Sequence, residues 1–182
     1  VVYPACEILK PGTIRHIAGN RFSLGEPEGS ESDRLKFISD ILKKAGFRAP
    51  IQKNIRDEIW LKLIGNLSFN PISALTGATL EQICNDQGTE LIVRAMMTEA
   101  KIIAEELGAK INMSIEKRID GARKVGAHKT SMLQDIEAGK PIEIDSIIIA
   151  VKELGELTCS PTPYIDTILN LTLQKAKLIG CL

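Results

Sequence analysis

Apolar and polar positions follow two different periods along this chain, and the change falls near residue 53. Residues 13–17 (Thr-Ile-Arg-His-Ile) alternate apolar and polar, and residues 21–25 (Arg-Phe-Ser-Leu-Gly) alternate again. A period of two is the mark of a strand with one covered face. Ala18-Gly19-Asn20 between the two stretches predicts a hairpin turn. Residues 29–46 change to helical spacing, with Leu35, Ile38, Ile41 and Leu42 on one stripe, Ser30 or Ser32 as the cap and Gly46 as the stop. Residues 49–52 complete this region as a short closing strand.

From residue 54 onward the period is helical almost throughout. Asn54 is placed to cap a long helix whose first turn carries Asp57 and Glu58, acids that complement the helix dipole. Pro71 removes a backbone donor, so a kink or break is expected near Asn70. Further helices are predicted over residues 89–107, ended by Gly108, and over 114–125. A short helix is predicted from Ser131, another runs from Pro141 to about Gly155, and a last one opens at Pro161 or Pro163 and ends near Lys177. The pattern therefore divides the chain into residues 1–53, the end of an α/β unit, and residues 54–182, a helical domain.

Within the long helix, Lys62, Asn66 and Asn70 are spaced four apart. At about 100° per residue they drift only about 40° per step and share one stripe. Taken alone, the stripe with Glu58 and Ser73 reads first as the wet face of an amphipathic helix. Asparagine is a poor helix former, however, costing roughly 0.6 kcal/mol relative to alanine. No further charge follows Lys62 before Pro71, and Gly65 beside the stripe removes bulk where a ligand could approach. An ammonium followed by two amides is suited to bind an oxygen-rich small molecule and to protonate it.

Two later clusters add to this. Ser131-Met132-Leu133-Gln134-Asp135 reads as a capping box, with the Ser131 hydroxyl satisfying a free amide and the helix start also suited to a carboxylate. In Lys140-Pro141-Ile142-Glu143-Ile144-Asp145, Pro141 suits the first helical position, which puts Glu143 and Asp145 in the first turn. A cleft-facing Glu143 would need an ammonium or a sugar hydroxyl as partner.

Composition narrows the classes. The 182 residues are 44% hydrophobic with a formal net charge of zero, which describes a soluble globular chain with enough apolar side chains for a core. No basic excess is present to neutralise phosphates, so nucleic acid is not an expected partner, and no apolar run approaches a membrane span. Cys6, Cys84, Cys159 and Cys181 are scattered, and there are only two histidines, so no structural metal is expected. Free thiols fit a reducing cytoplasm. The chain starts with valine in a strand-like stretch, which suggests a piece of a longer protein.

Taken together, Trp60-x-Lys62-x-x-x-Asn66-x-x-x-Asn70-Pro71, Ser131-Met132-Leu133-Gln134-Asp135 and Glu143-Ile144-Asp145 closely resemble the C-terminal domain of ketopantoate reductases (2-dehydropantoate 2-reductases). Pro11 to His16 and Phe22-x-Leu24-Gly25 look like the last strands of that family's dinucleotide-binding domain. The resemblance covers essentially the whole chain. It implies a mainly α fold, with a helical domain of the 6-phosphogluconate-dehydrogenase-like type preceded by the last strands and helix of a truncated Rossmann-type α/β domain. It further implies reduction of a 2-oxo acid with NADPH in coenzyme A biosynthesis. Lys62 matches the lysine that protonates the ketone oxygen. Asn66, Asn70 and Ser131 match substrate-binding residues, and Glu143 matches a glutamate on the cofactor side of an interdomain cleft. A further asparagine of the family is not matched, since the chain reads Gly77-Ala78-Thr79-Leu80 there.

No G-x-G-x-x-G occurs in the chain, so the resemblance puts the phosphate-binding turn ahead of Val1, and these residues alone are expected to bind NADPH poorly. Two alternatives stay open. The scaffold suits another 2-oxo acid, or it is a non-catalytic helical module for dimerisation or ligand binding. A homodimer is compatible with each reading.

Overall fold

The computed structural model describes residues 1–182, apart from the side chain of Glu7. The coordinates divide into two compact units, Val1–Ile59 and Trp60–Leu182.

In the first unit, β1 (Ala5–Lys10) pairs antiparallel with β2 (Thr13–Ala18). The hairpin turn is therefore Pro11-Gly12, with Gly12 at a φ of 78° that a side chain would resist. This corrects the turn expected at residues 18–20. Residues 21–25 do not pair with β2. Arg21 and Leu24 instead make parallel bridges to Arg48 and Ile51, and Phe22 bridges antiparallel to Val2. The closing stretch at 49–52 thus takes part in a parallel arrangement. Between them lies α1 (Asp33–Lys44), started by the Ser32 side chain, which accepts from the Leu35 amide. Phe22 and Phe47 meet edge to face at 5.0 Å between ring centres.

Helix α2 (Ile55–Thr76) passes through Pro71 without interruption, contrary to the break expected there. One missing helical bond near Leu67 is outweighed by burial: Ile64, Leu67, Phe69, Ile72 and Ala74 are all at most 5% exposed. The stripe of Lys62, Asn66 and Asn70 is not an open solvent face either, since Asn70 is buried and Lys62 and Asn66 are half-buried. Ser73, assigned there to the wet face, is buried and donates to the Ala78 carbonyl at 2.7 Å. Glu58 belongs to the first unit, where it accepts hydrogen bonds from Tyr3, Arg21 and Ser23.

The second unit continues with α3 (Leu80–Asn85), which the periodicity did not reveal. It is six residues long, and Thr79 with Gln82 closes a reciprocal capping box at its start. Next come α4 (Gln87–Glu106), α5 (Ile115–Val125) and α6 (Ser131–Glu137). A π turn over Asp145–Ile149 leads into α7 (Ala150–Leu157), and α8 (Pro163–Ile179) ends at Gly180 in the left-handed conformation. Val93, Met96, Met97, Ala100, Ile103 and Ala104 make α4 the centre of the core, each fully buried. Gly155 lets α7 approach closely, since a Cβ there would lie 2.9 Å from Thr162 Cγ2 and 3.2 Å from Ile103 Cδ1. The Lys175 ammonium on α8 donates to the carbonyls of Ala74 and Leu75 at 2.5 and 3.1 Å, satisfying the C-terminal end of α2. None of the helices is long and apolar enough to cross a membrane among the described residues.

Candidate active site

A cleft of about 360 Å³ lies in the second unit, and α2 forms one wall with Lys62, Gly65, Asn66, Phe69 and Asn70. The opposite side comes from α5, with Arg118, Gly121, Ala122 and Val125, and from the segment carrying His128, Thr130 and Ser131. Helix α5 is fixed there by Arg123, which donates to Asn85 Oδ1 and to the Cys84 carbonyl on α3, and to Glu90 on α4. Four of the five residues expected at a site therefore share one concavity: Lys62, Asn66, Asn70 and Ser131.

Their surroundings suit ligand binding. Asn70 is only 5% exposed, yet neither its amide nor that of Asn66 is engaged by a protein hydrogen bond among the described residues. Buried amides normally have partners, so these two suit a bound molecule. Lys62 is half-buried, and burial pushes its ammonium below the ordinary lysine range while the charge of Glu143 works in the opposite direction. Phe69 supplies apolar surface in the same cleft.

Ser131 does not cap its helix. The cap is Thr130, whose hydroxyl accepts from the Leu133 amide, which leaves the Ser131 side chain at the first helical position and on the cleft. The capping and ligand readings of Ser131 competed in the sequence because two adjacent hydroxyls were equally placed. The structure divides the two tasks between them.

Glu143 stands apart from the cleft lining. The expected helix start at Pro141 is not formed. Residues 141–143 form no regular element: Ile142 donates to the Cys181 carbonyl, and Ile144 donates back to the Ile142 carbonyl in a tight three-residue turn with Glu143 exposed at its tip. Its influence on Lys62 is electrostatic.

Arg118 is the residue that sequence reasoning missed. A Cβ on Gly65 would fall 2.7 Å from its Cζ and 2.8 Å from its Nε, and closer still to Nη2. The space left by Gly65 is thus filled by a guanidinium rather than left open. The signal was present as an isolated glycine inside a helix, but its partner lies 53 residues away on α5.

The sequence profile described as "Ketopantoate reductase PanE/ApbA C terminal" matches residues 54–176. The chain belongs to the ketopantoate reductase family. A 2-dehydropantoate 2-reductase from Mesorhizobium japonicum is 54% identical over 181 residues, covering 100% of this chain and 56% of the relative. Among solved structures, a candidate ketopantoate reductase from Ralstonia solanacearum superposes with a TM-score of 0.94 at 41% identity, covering 100% of this chain and 55% of the other. A 2-dehydropantoate 2-reductase from Methylococcus capsulatus gives 0.89 at 30% identity, with 98% and 62% covered. The chain spans about half the length of the curated relatives it matches. Its mainly helical architecture, following a smaller region with strands, is that of these relatives.

Proposed function

We propose that this chain supplies the substrate-side half of an NADPH-dependent 2-dehydropantoate 2-reductase, producing pantoate for coenzyme A synthesis in the cytoplasm. The observation that carries the reading is a half-buried lysine with a lowered pKa in one cleft with two unengaged asparagine amides and a freed serine hydroxyl. When bound, the nicotinamide supplies hydride to the substrate's carbonyl carbon. Negative charge then develops on the ketone oxygen, and the Lys62 ammonium both stabilises it and delivers the proton, leaving a neutral amine that solvent reprotonates. Asn66, Asn70 and Ser131 orient the substrate's oxygens. A pKa below the ordinary lysine value eases this proton transfer.

The residues present fit the carbonyl end of the reaction. Toward the nicotinamide cofactor the chain offers Glu143, whose exposed carboxylate at the turn tip is open to a ribose hydroxyl and whose charge supports the protonated Lys62. We assign residues 1–53 to the end of the dinucleotide-binding domain and 54–182 to the substrate domain. A homodimer is the assembly proposed, with the apolar strip of Ile72, Leu75, Ile92, Ile168, Leu171 and Leu178 as the face available to a second copy. Sedimentation of the full-length protein checks it: a monomer at assay concentration would refute the assembly.

Reduction of 2-dehydropantoate by the full-length protein, set against a panel of other 2-oxo acids, tests the function. Preference for another member of the panel would keep the chemistry and replace the substrate. No turnover of any member would favour the non-catalytic module.

A further inference from the structure

The cleft lining contains two basic side chains, Lys62 and Arg118, together with His128, and no aspartate or glutamate. A concavity with that balance attracts an anion, and low-dielectric walls strengthen the attraction. Lys62 alone would serve both the ketone oxygen and a carboxylate badly. An ammonium held in a salt bridge to a bound carboxylate has its pKa raised, which opposes the transfer of its proton. A second cation that never gives up its proton removes the conflict, and a guanidinium is that group.

Arg118 is positioned for this task by Gly65. Residue 65 lies one turn after Lys62 and directly before Asn66, so the guanidinium rests against the α2 backbone at Gly65, in the same cleft as those two side chains. The same arginine also borders a small apolar hollow formed by Leu61, Ile64, Met97 and Ile111, which shields it on its other side. In a 2-oxo acid the carboxylate and the ketone occupy adjacent carbons. Two basic side chains lining one cleft, Lys62 from α2 and Arg118 from α5, match that arrangement.

We propose that Arg118 binds the substrate's carboxylate, and that Gly65 is present to admit its guanidinium, so that the pair selects 2-oxo acids over neutral ketones. This inference rests on the reductase reading. It assigns the carboxylate to a bidentate charged donor and leaves Asn66, Asn70 and Ser131 for the neutral oxygens.

The test compares 2-dehydropantoate with its lactone, which keeps the reacting ketone but has no carboxylate. In full-length protein, Arg118→Ala is expected to lower the ratio of kcat/KM for acid over lactone roughly 10- to 100-fold, the range for losing a hydrogen bond to a charged group. The loss should fall mainly on KM for the acid. Arg118→Lys recovers part of the ratio, because a lysine keeps the charge without the fork. Gly65→Ala lowers the ratio in the same direction by displacing the guanidinium. Equal losses for acid and lactone would reduce Arg118 to a support of the cleft wall and overturn the proposal, as would an unchanged ratio. A rise in the KM for NADPH with the acid unaffected would assign the cation to a cofactor phosphate and overturn it equally. Turnover by the wild type tests the reductase reading separately. If the wild type turns over neither compound, calorimetric binding of acid and lactone to wild type and Arg118→Ala still decides the role of Arg118.

Discussion

Glu99 on α4 reaches the first turn of α8, where its two carboxylate oxygens accept from the amides of Tyr164 and Ile165, each at 3.0 Å. The residue is 9% exposed, so water has little access to replace it. Glu99→Ala leaves two amides without an acceptor at about 1–3 kcal/mol each and removes favourable charge at a helix N-terminus. A net destabilisation of about 2–5 kcal/mol follows. Glu99→Gln keeps one acceptor oxygen but turns an NH2 group toward the second amide, so a smaller loss of about 1–2 kcal/mol is expected.

The two variants also differ from wild type in pH dependence. Burial raises the Glu99 pKa above 4.5, and the two amide bonds offset this only in part. The folded state then holds the proton to higher pH than the unfolded state, so Glu99's contribution is fully present below about 4.5 and declines as pH rises through the folded pKa. Glu99→Gln should lack that decline. Urea unfolding followed by circular dichroism over pH 4 to 8 measures both effects. A Glu99→Ala midpoint equal to wild type would refute the claim that this carboxylate anchors α8.

Other outcomes follow from the same geometry. The kcat/KM of the full-length enzyme should fall as pH rises through the Lys62 pKa, and Glu143→Gln should move that limb to lower pH, since it removes the one influence that raises it; a limb that does not move would separate the two residues. Glu26 is held at a pKa of about 2 by hydrogen bonds from Arg34 and Ser32. Its stabilising contribution is present above about 4.5 and is lost as pH falls toward 2, so Glu26→Gln should flatten the acid side of the stability profile measured by thermal unfolding.

The helices were legible wherever a stripe, a cap and a stop agreed. Ser32 and Ser114 stand at the helix starts expected there. Local signals failed where partners were remote. The Pro11-Gly12 turn was passed over because pairing, not alternation, decides which strands meet. Pro71 stays in its helix because tertiary burial overrides a local penalty. At the candidate site, Lys62, Asn66 and Asn70 could be named from their spacing and Ser131 from the family resemblance, but the residue set by long-range packing could not: nothing near Gly65 announces Arg118. Glu143 was assigned to a helix turn because Pro141 suits such a position, whereas the segment is tied to Cys181 and turns tightly at Glu143 before the helix begins.

The central claim is that Lys62 protonates the ketone oxygen. Its most direct test is kcat for 2-dehydropantoate in full-length Lys62→Ala under saturating NADPH, with circular dichroism confirming the fold. Loss of a general acid is worth about 100- to 10,000-fold, and kcat is expected to fall by that amount. A kcat within about threefold of wild type, far below the loss expected for a general acid, would contradict the account.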